Sequence, residues 1–168
     1  MDAVEYVKRQ IAAARRLLDA AMQDVSDEQF NWAPPGVANP IKSAFIHLVA
    51  AEDSFIQRAI QGKPRLWEAE GWGEKVGLTS ALGRGAWDET RAATLAVAPA
   101  RAYEQAVRAA TDAYLAGLTA EELDRQVSLF GGQRAVADVL ALLVVHALGH
   151  AGEIAAAKGV QGVKGLPF

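Results

Sequence analysis

The amino-acid sequence predicts an all-α protein, a four-helix bundle formed by a single domain that spans residues 1–168. Hydrophobic residues make up 51% of the chain, and many of them are alanine, which favours closely packed helices. Four long stretches repeat their apolar side chains at spacings of three and four, the period of an amphipathic helix. A chain of 168 residues is also long enough to bury a sizeable hydrophobic core.

The first two predicted helices lie on either side of a loop in which paired prolines and a glycine prevent helix formation. Helix 1 covers about residues 2–23 and carries one apolar stripe. Ser26 then opens a capping-box pattern that starts a short turn. Helix 2 runs from about Pro40 to Gln61, with Asn39 as its N-cap and Pro40 at its first helical position.

A long segment, residues 62–98, connects helices 2 and 3 and is called the insertion below. Its tryptophans argue against disorder, and a connection of this length is usually functional. We expect a short helix around Ala86–Leu95 that packs over one end of the bundle. Two interpretations of Trp67, Trp72 and Trp87 stay open: they shape the mouth of a pocket, or they only anchor the insertion to the bundle.

The C-terminal half contains the last two predicted helices. Helix 3 begins after Pro99 and ends near Ala116, and residues 126–130 form a brief extended piece before a pair of glycines. Helix 4 covers about Ala135–Lys158, and Gly159 is suited to the position that follows the helix. These two helices complete the predicted bundle.

The composition excludes several classes of protein. The net charge is −3 and no run of lysine or arginine accumulates, so a nucleic-acid footprint is absent. The lack of cysteine excludes disulfides and thiolate zinc sites, and it fits a reducing cytoplasm. The N-terminus is polar, unlike a signal peptide, and the apolar stretch 136–148 contains Asp138 and is too short to span a bilayer. We therefore expect a cytoplasmic protein with neither nucleic acid nor membrane as a partner.

The three histidines of the chain carry its main functional signal. His146 and His150 are four residues apart in predicted helix 4, so their side chains share one face. His47 lies in helix 2 among small neighbours, which leave room for a metal ion. Three imidazoles from two facing helices would hold one divalent ion and leave a coordination position open for water or substrate. Glycine within a helix costs about 1 kcal/mol relative to alanine. Gly149 and Gly152 therefore predict that another group of the molecule or a ligand packs closely against this helix.

The neighbouring residues narrow the chemistry of this site. The residue after His146 is alanine, where a zincin protease needs a glutamate. Three neutral ligands leave the ion with its full charge, so it would bring the pKa of bound water to about 7. Zinc is the default, and nickel or iron(II) also accept imidazole. Glu153 lies on the same helix face as the histidine pair, and four roles stay open for it. It could accept a hydrogen bond from an imidazole N–H, act as a general base, bind the metal as a fourth ligand, or form an ordinary ion pair with an arginine such as Arg58.

With these residues assembled, the chain resembles the DinB/YfiT-like superfamily of metal-dependent enzymes. The matching pieces are the W-A-P tripeptide at 32–34, the N-P-I tripeptide at 39–41 that leads to His47, and HALGHAGEI followed by KGVQGVKGLP. The resemblance is weaker in the insertion, and it implies up-down-down-up helix connectivity and a divalent metal held by His47, His146 and His150. It also implies a low-molecular-weight thiol as cosubstrate and a homodimer, since relatives include thiol-dependent transferases and isomerases and often form dimers.

Two functional hypotheses from different classes follow. The first is a metal-dependent enzyme of the thiol-transferase or hydrolase type that acts on a small molecule. The second is a non-catalytic metal-binding or stress-response protein whose metal is structural or sensory. An open coordination position favours the enzyme, whereas closure of the metal shell by Glu153 favours the second hypothesis. A metal-free bundle with three core histidines is a third interpretation.

Overall fold

The computed structural model describes residues 1–80 and 86–166, and it confirms a mostly helical, all-α fold. Four of the described helices are long, as predicted, and a short hairpin is the one element outside the helical class in these residues. The helices are α1 (Ala3–Ala21), α2 (Asp27–Asn31), α3 (Ile41–Asp53), α4 (Leu66–Ala69), α5 (Trp72–Val76), α6 (Ala86–Ala92), α7 (Val97–Ala116), α8 (Ala120–Asp124) and α9 (Val136–Val160), and the strands are β1 (Gln126–Leu129) and β2 (Gly132–Ala135).

The four long helices share one hydrophobic core. Helix α9 packs along both α1 and α3, and α3 also packs against α7. Each of the four contributes buried side chains to the same cluster, for example Leu18, Ile46, Tyr103 and Ile154. The apolar stripes that predicted the helices therefore face one another in the interior, as the helical period requires.

Helix 2 of the prediction is not a regular α-helix along its whole length. From Ser54 to Ile60 the backbone is π-helical, and this stretch is called the π segment below. π-Helical turns are rare and frequently occur at functional sites. Here the π segment buries Phe55, Ile56 and Ile60 in a second apolar cluster shared with β1 and α9. The period of the apolar residues predicted the helix but carried no signal for this local widening.

Two predicted helix starts have different outcomes. Ser26 and Gln29 form the predicted capping box, with each side chain bonded to the backbone amide of the other residue. The prediction for Asn39 is wrong, because Pro40 is the cap residue of α3 and no side chain bonds to the first turn. The Asn39 amide instead donates to Glu153 Oε1 at 3.0 Å, a partner more than a hundred residues away that local sequence cannot reveal.

The end of α9 also differs from the prediction. Gly159 lies within the helix, which continues to Val160, and Gly162 takes the left-handed conformation with φ of 76°. Near this end, the buried Lys158 ammonium donates to the carbonyls of Ala21 and Gln23 at 3.1 and 2.9 Å. Lys158 thus supplies hydrogen-bond donors to carbonyl groups that the end of α1 leaves unpaired.

The length of α9 corrects an argument made from the sequence. The helix has 25 residues and is apolar enough to cross a membrane by length and composition alone, so the shorter stretch 136–148 understated it. The core helix of a soluble protein passes the same test. Helix α9 packs on α1 and α3 and carries two partly buried histidines, so one side of it faces the bundle, although only 33% of its apolar window is buried.

The described part of the insertion is ordered around a buried carboxylate. Asp53 accepts hydrogen bonds from the amides of Leu66 and Trp67 and from the Tyr103 hydroxyl, at 3.0, 3.0 and 2.8 Å. The rings of Trp67 and Trp72 lie 5.3 and 5.6 Å from the Tyr103 ring. These two tryptophans therefore anchor the insertion to α7, and the predicted short helix of the insertion is α6.

The hairpin joins its strands through a strained turn. Residues 126–130 were expected to be extended, and β1 pairs antiparallel with β2, with Leu129 opposite Gly132. The two turn residues, Phe130 and Gly131, have φ of 53° and 77°. Turns with two positive φ values strongly favour Asn-Gly, because a non-glycine residue in the left-handed region costs about 1–2 kcal/mol. The pairing was not predicted, since Phe-Gly is a weak hairpin signal.

Candidate metal centre

The structure brings the three histidines together where α9 packs against α3. His47 extends from α3, and His146 and His150 lie one turn apart on α9. The Nε2 atom of His146 is 3.1 Å from Nε2 of His47 and 3.2 Å from Nε2 of His150. One ring nitrogen from each residue lies within 4.8 Å of the others, so the three side chains form a group that could hold a metal ion.

Hydrogen bonding alone cannot satisfy these three nitrogens. His150 Nδ1 lies 2.7 Å from the Glu153 carboxylate, which places the imidazole proton on Nδ1 and a lone pair on Nε2. His146 Nε2 carries either a proton or a lone pair, so it cannot bond well to the Nε2 atoms of both neighbours. A divalent cation at the centre would accept all three lone pairs. The donor set therefore fits a metal ion.

The spacing of the nitrogens supports the same conclusion. Zinc–imidazole bonds of 2.0–2.1 Å in tetrahedral geometry place two ligand nitrogens about 3.3 Å apart. The Nε2 separations of 3.1 and 3.2 Å around His146 are close to that value. His146 is therefore placed at coordination separation from both other histidines, and all three ligand atoms lie within 4.8 Å of one another.

Burial keeps two of the histidines neutral. Desolvation, followed by the nearby charge of His150, lowers the pKa of His47 to about 4. The same two causes, together with His47, lower the pKa of His146 to about 4. Metal binding requires a deprotonated imidazole, so both ligands are ready to bind at neutral pH. His146 Nδ1 is buried and has no hydrogen-bond partner in the part of the chain that the structure describes.

A hydrogen-bonded chain supports His150 from behind. Glu153 Oε2 accepts from His150 Nδ1 at 2.7 Å, and Oε1 accepts from the Asn39 amide at 3.0 Å. Both oxygens of the carboxylate face donors on the far side of His150 from the cluster. Acceptors in this position fix the tautomer and the orientation of a metal-binding histidine. Sequence reasoning identified Glu153 and missed Asn39, because the N-cap interpretation accounted for that residue locally.

One tryptophan of the insertion reaches the histidines. The Trp87 ring lies 4.6 Å from the His47 ring and 6.5 Å from that of His150. Two hydrogen bonds fix its helix, α6, to α3. The Thr90 hydroxyl donates to that of Ser43 at 3.0 Å, and the Lys42 ammonium donates to the carbonyl of Ala93, just after α6. Trp87 therefore borders the cluster, whereas the other two tryptophans of the insertion lie against α7.

The glycines beside the histidine pair do not have the predicted role. Gly149 and Gly152 are exposed, and a Cβ atom built on either would meet nothing within 4 Å. The expectation that another group closely approaches them is therefore wrong for the described residues. They lie on the solvent face of α9, whereas the histidines face α3.

A surface groove of about 710 Å³ lies along the insertion, between Arg65 and Ser80, and none of the three histidines lines it.

The fold and the site together define a mostly helical protein with a three-histidine group suited to a metal ion. A sequence model of the DinB superfamily matches residues 10–154, and the chain belongs to this superfamily. The match includes all three histidines, Glu153 and Asn39. The resemblance to this superfamily that the sequence motifs indicated is thereby confirmed.

A solved structure shows the same fold. The crystal structure of a conserved protein from Enterococcus faecalis has a TM-score of 0.80, with 17% sequence identity over 96% of this chain and 99% of that chain. At this identity the likeness concerns the fold alone. A search of curated proteins finds no match.

Proposed function

We propose that the protein is a metal-dependent enzyme that acts on a small molecule, with one divalent ion held by His47, His146 and His150. The observation that carries this proposal is the convergence of the Nε2 atoms of His47 and His150 on that of His146, at 3.1 and 3.2 Å. Zinc is the default ion for three imidazoles, and nickel or iron(II) are the alternatives. Thiol transfer and hydrolysis are the two reaction classes that such a site supports.

When bound, the ion would supply a Lewis acid that lowers the pKa of a thiol or a water molecule towards neutrality. The protein side chains then have separate tasks. Glu153 holds the proton of His150 on Nδ1, so that the Nε2 lone pair faces the cluster. Trp87 packs against one side of His47 and so limits the directions from which a ligand can reach it. Glu153 thus acts as a positioning residue in this proposal.

The contacts of Glu153 favour the enzyme over a purely structural metal site. A closed shell needs a fourth protein ligand. Both oxygens of Glu153 already accept hydrogen bonds, from His150 and Asn39, so the carboxylate is not free to complete the shell. An open position for substrate is the arrangement of a catalytic site. A low-molecular-weight thiol cosubstrate, a cytoplasmic location and a homodimeric state belong to the same proposal.

Elemental analysis of the untagged protein, followed by single substitutions, tests the metal site. Replacing His47, His146 or His150 with alanine should lower the metal content well below one ion per chain. Asp138→Ala is the matched control, because Asp138 is exposed at the start of α9 and should keep full occupancy. Full occupancy and unchanged affinity in His47→Ala would show that the three-histidine site is wrong. A screen for thiol transfer and for hydrolysis, with the dominant metal restored, then tests the reaction class.

A further inference from the structure

Phe130 is exposed at the tip of the hairpin in a conformation that its residue type disfavours. Its side chain is 74% exposed, and its φ of 53° lies in the left-handed region. Asparagine would fit this turn better, both for the backbone and for solvation. Neither the folding of the turn nor contact with solvent therefore accounts for a phenylalanine here. Strained bulky residues of this kind are concentrated at functional sites.

A chain of aromatic rings connects Phe130 with the histidine cluster. The Phe130 ring lies 6.1 Å from Phe55, nearly perpendicular to it, and Phe55 lies 6.1 Å from His146. Phe55 is buried on the π segment and is therefore a fixed support. Trp87 borders the same cluster at His47. Aromatic rings therefore extend from the histidines at two separate points, and the exposed one is Phe130.

We propose that Phe130 and Phe55 form an apolar subsite that binds an aromatic or aliphatic group of a ligand whose polar end is held at the histidines. The inference rests on the proposed function and specifies its substrate class, a small molecule with an apolar tail. Phe55 supports the subsite from the interior next to His146, and Phe130 supplies an exposed ring face. A ligand that extends from the histidines to this ring would cover the exposed face of Phe130, which would account for a phenylalanine at the turn.

A series of thiols tests this subsite. The probes are phenylalkanethiols with one to four methylene groups and 2-mercaptoethanol, titrated into cobalt-substituted protein with the absorption spectrum as readout. Wild-type affinity should rise along the phenylalkanethiol series. Phe130→Asn should weaken the tightest phenylalkanethiol about 3- to 10-fold, the range expected for one aromatic contact, and change 2-mercaptoethanol less than twofold.

Two further measurements separate the possible outcomes. Phe130→Asn fits the turn, so its thermal unfolding temperature should stay the same or rise, which shows that any lost affinity is not misfolding. Val160→Asn is the matched control, an exposed apolar residue ten positions beyond His150 on α9, and should bind every thiol as the wild type does.

The subsite is refuted if Phe130→Asn binds the whole series as tightly as the wild type, or if it weakens 2-mercaptoethanol equally. It is also refuted if the substitution changes only the sedimentation behaviour, because Phe130 would then contact a second copy of the chain. Failure of metal-loaded wild-type protein to bind any thiol would count against the proposed function instead. Normal binding of 2-mercaptoethanol with a flat phenylalkanethiol series would count against the subsite alone.

Discussion

Replacing Glu153 with glutamine tests how His150 is held for metal binding. The carboxylate accepts two hydrogen bonds, from His150 Nδ1 and from the Asn39 amide. Glutamine has one oxygen and one NH₂ group, so it can accept from only one of these donors and must present its own donor to the other. Whichever way the glutamine amide is oriented, its NH₂ group faces either the His150 N–H or the Asn39 NH₂ group, and that hydrogen bond is lost.

The structure sets the size of the expected effect. A hydrogen bond to a charged group contributes about 1.5–3 kcal/mol, and the lower end applies because the Glu153 side chain is 34% exposed. A loss of about 1.5 kcal/mol corresponds to about tenfold weaker metal binding, within the range found when the supporting partner of a metal-binding histidine is removed. Glu153→Gln should therefore raise the dissociation constant for zinc about tenfold at pH 7.

A second substitution should restore the hydrogen-bonded chain. In Asn39→Asp/Glu153→Gln the glutamine oxygen can accept from His150 while its NH₂ group donates to the new aspartate. The double variant should therefore bind zinc more tightly than either single variant, and a double-mutant cycle gives the coupling between the two positions. Competition with a chromophoric chelator measures all four dissociation constants. A constant for Glu153→Gln within twofold of wild type, or a double variant weaker than both single ones, would refute the reasoning.

Three other expectations concern the pH response, the cluster and the core. Burial lowers the pKa of His47 and His146 from 6.5 to about 4, so the unfolded chain binds more protons than the folded protein in this range. The metal-free protein should therefore lose stability as the pH falls from about 6.5 to 4. Thermal unfolding in the presence of a chelator should show a shallower pH dependence for His146→Ala than for the wild type. Cobalt binding should quench tryptophan fluorescence mainly through Trp87, so Trp87→Phe should remove most of the quenching and Trp72→Phe should retain it. Lys158→Met should lower the free energy of unfolding, measured in urea, by about 1–3 kcal/mol, because two carbonyls near the end of α1 lose their hydrogen-bond donor. A loss under about 0.5 kcal/mol would show that these hydrogen bonds contribute little to stability.

The features that were predictable from the sequence depend on regular spacing. Apolar residues at intervals of three and four predicted the long helices, because a helix must bury one continuous face. The four-residue interval between His146 and His150 predicted their shared face, and the small side chains around His47 indicated that something had to fit beside it. Local patterns were sufficient in these cases, since each depends on residues within about two helical turns.

The features that were missed depend on contacts distant in the chain. Asn39 has the right residue type for an N-cap, yet its amide donates to Glu153 on the last helix. The pairing of the hairpin was missed because Phe130 occupies a turn position that favours asparagine. Gly149 and Gly152 show the reverse case: their cost within a helix suggested a close contact, and nothing in the described residues contacts the position of their missing side chains.

The distance along the chain between the ligands has a consequence for the stability of the protein. His47 and His146 are separated by 99 residues, so an ion bound to both would close a loop of that length in a chain that has no disulfide. Closing a loop of this size permanently would remove about 4–5 kcal/mol of conformational freedom from the unfolded state, an upper limit for a bond that can exchange. The ion would thus act as a reversible crosslink, and unfolding temperatures with and without a chelator would measure it. Metal supply would then set the fraction of the protein that is folded, a role separate from the proposed catalysis.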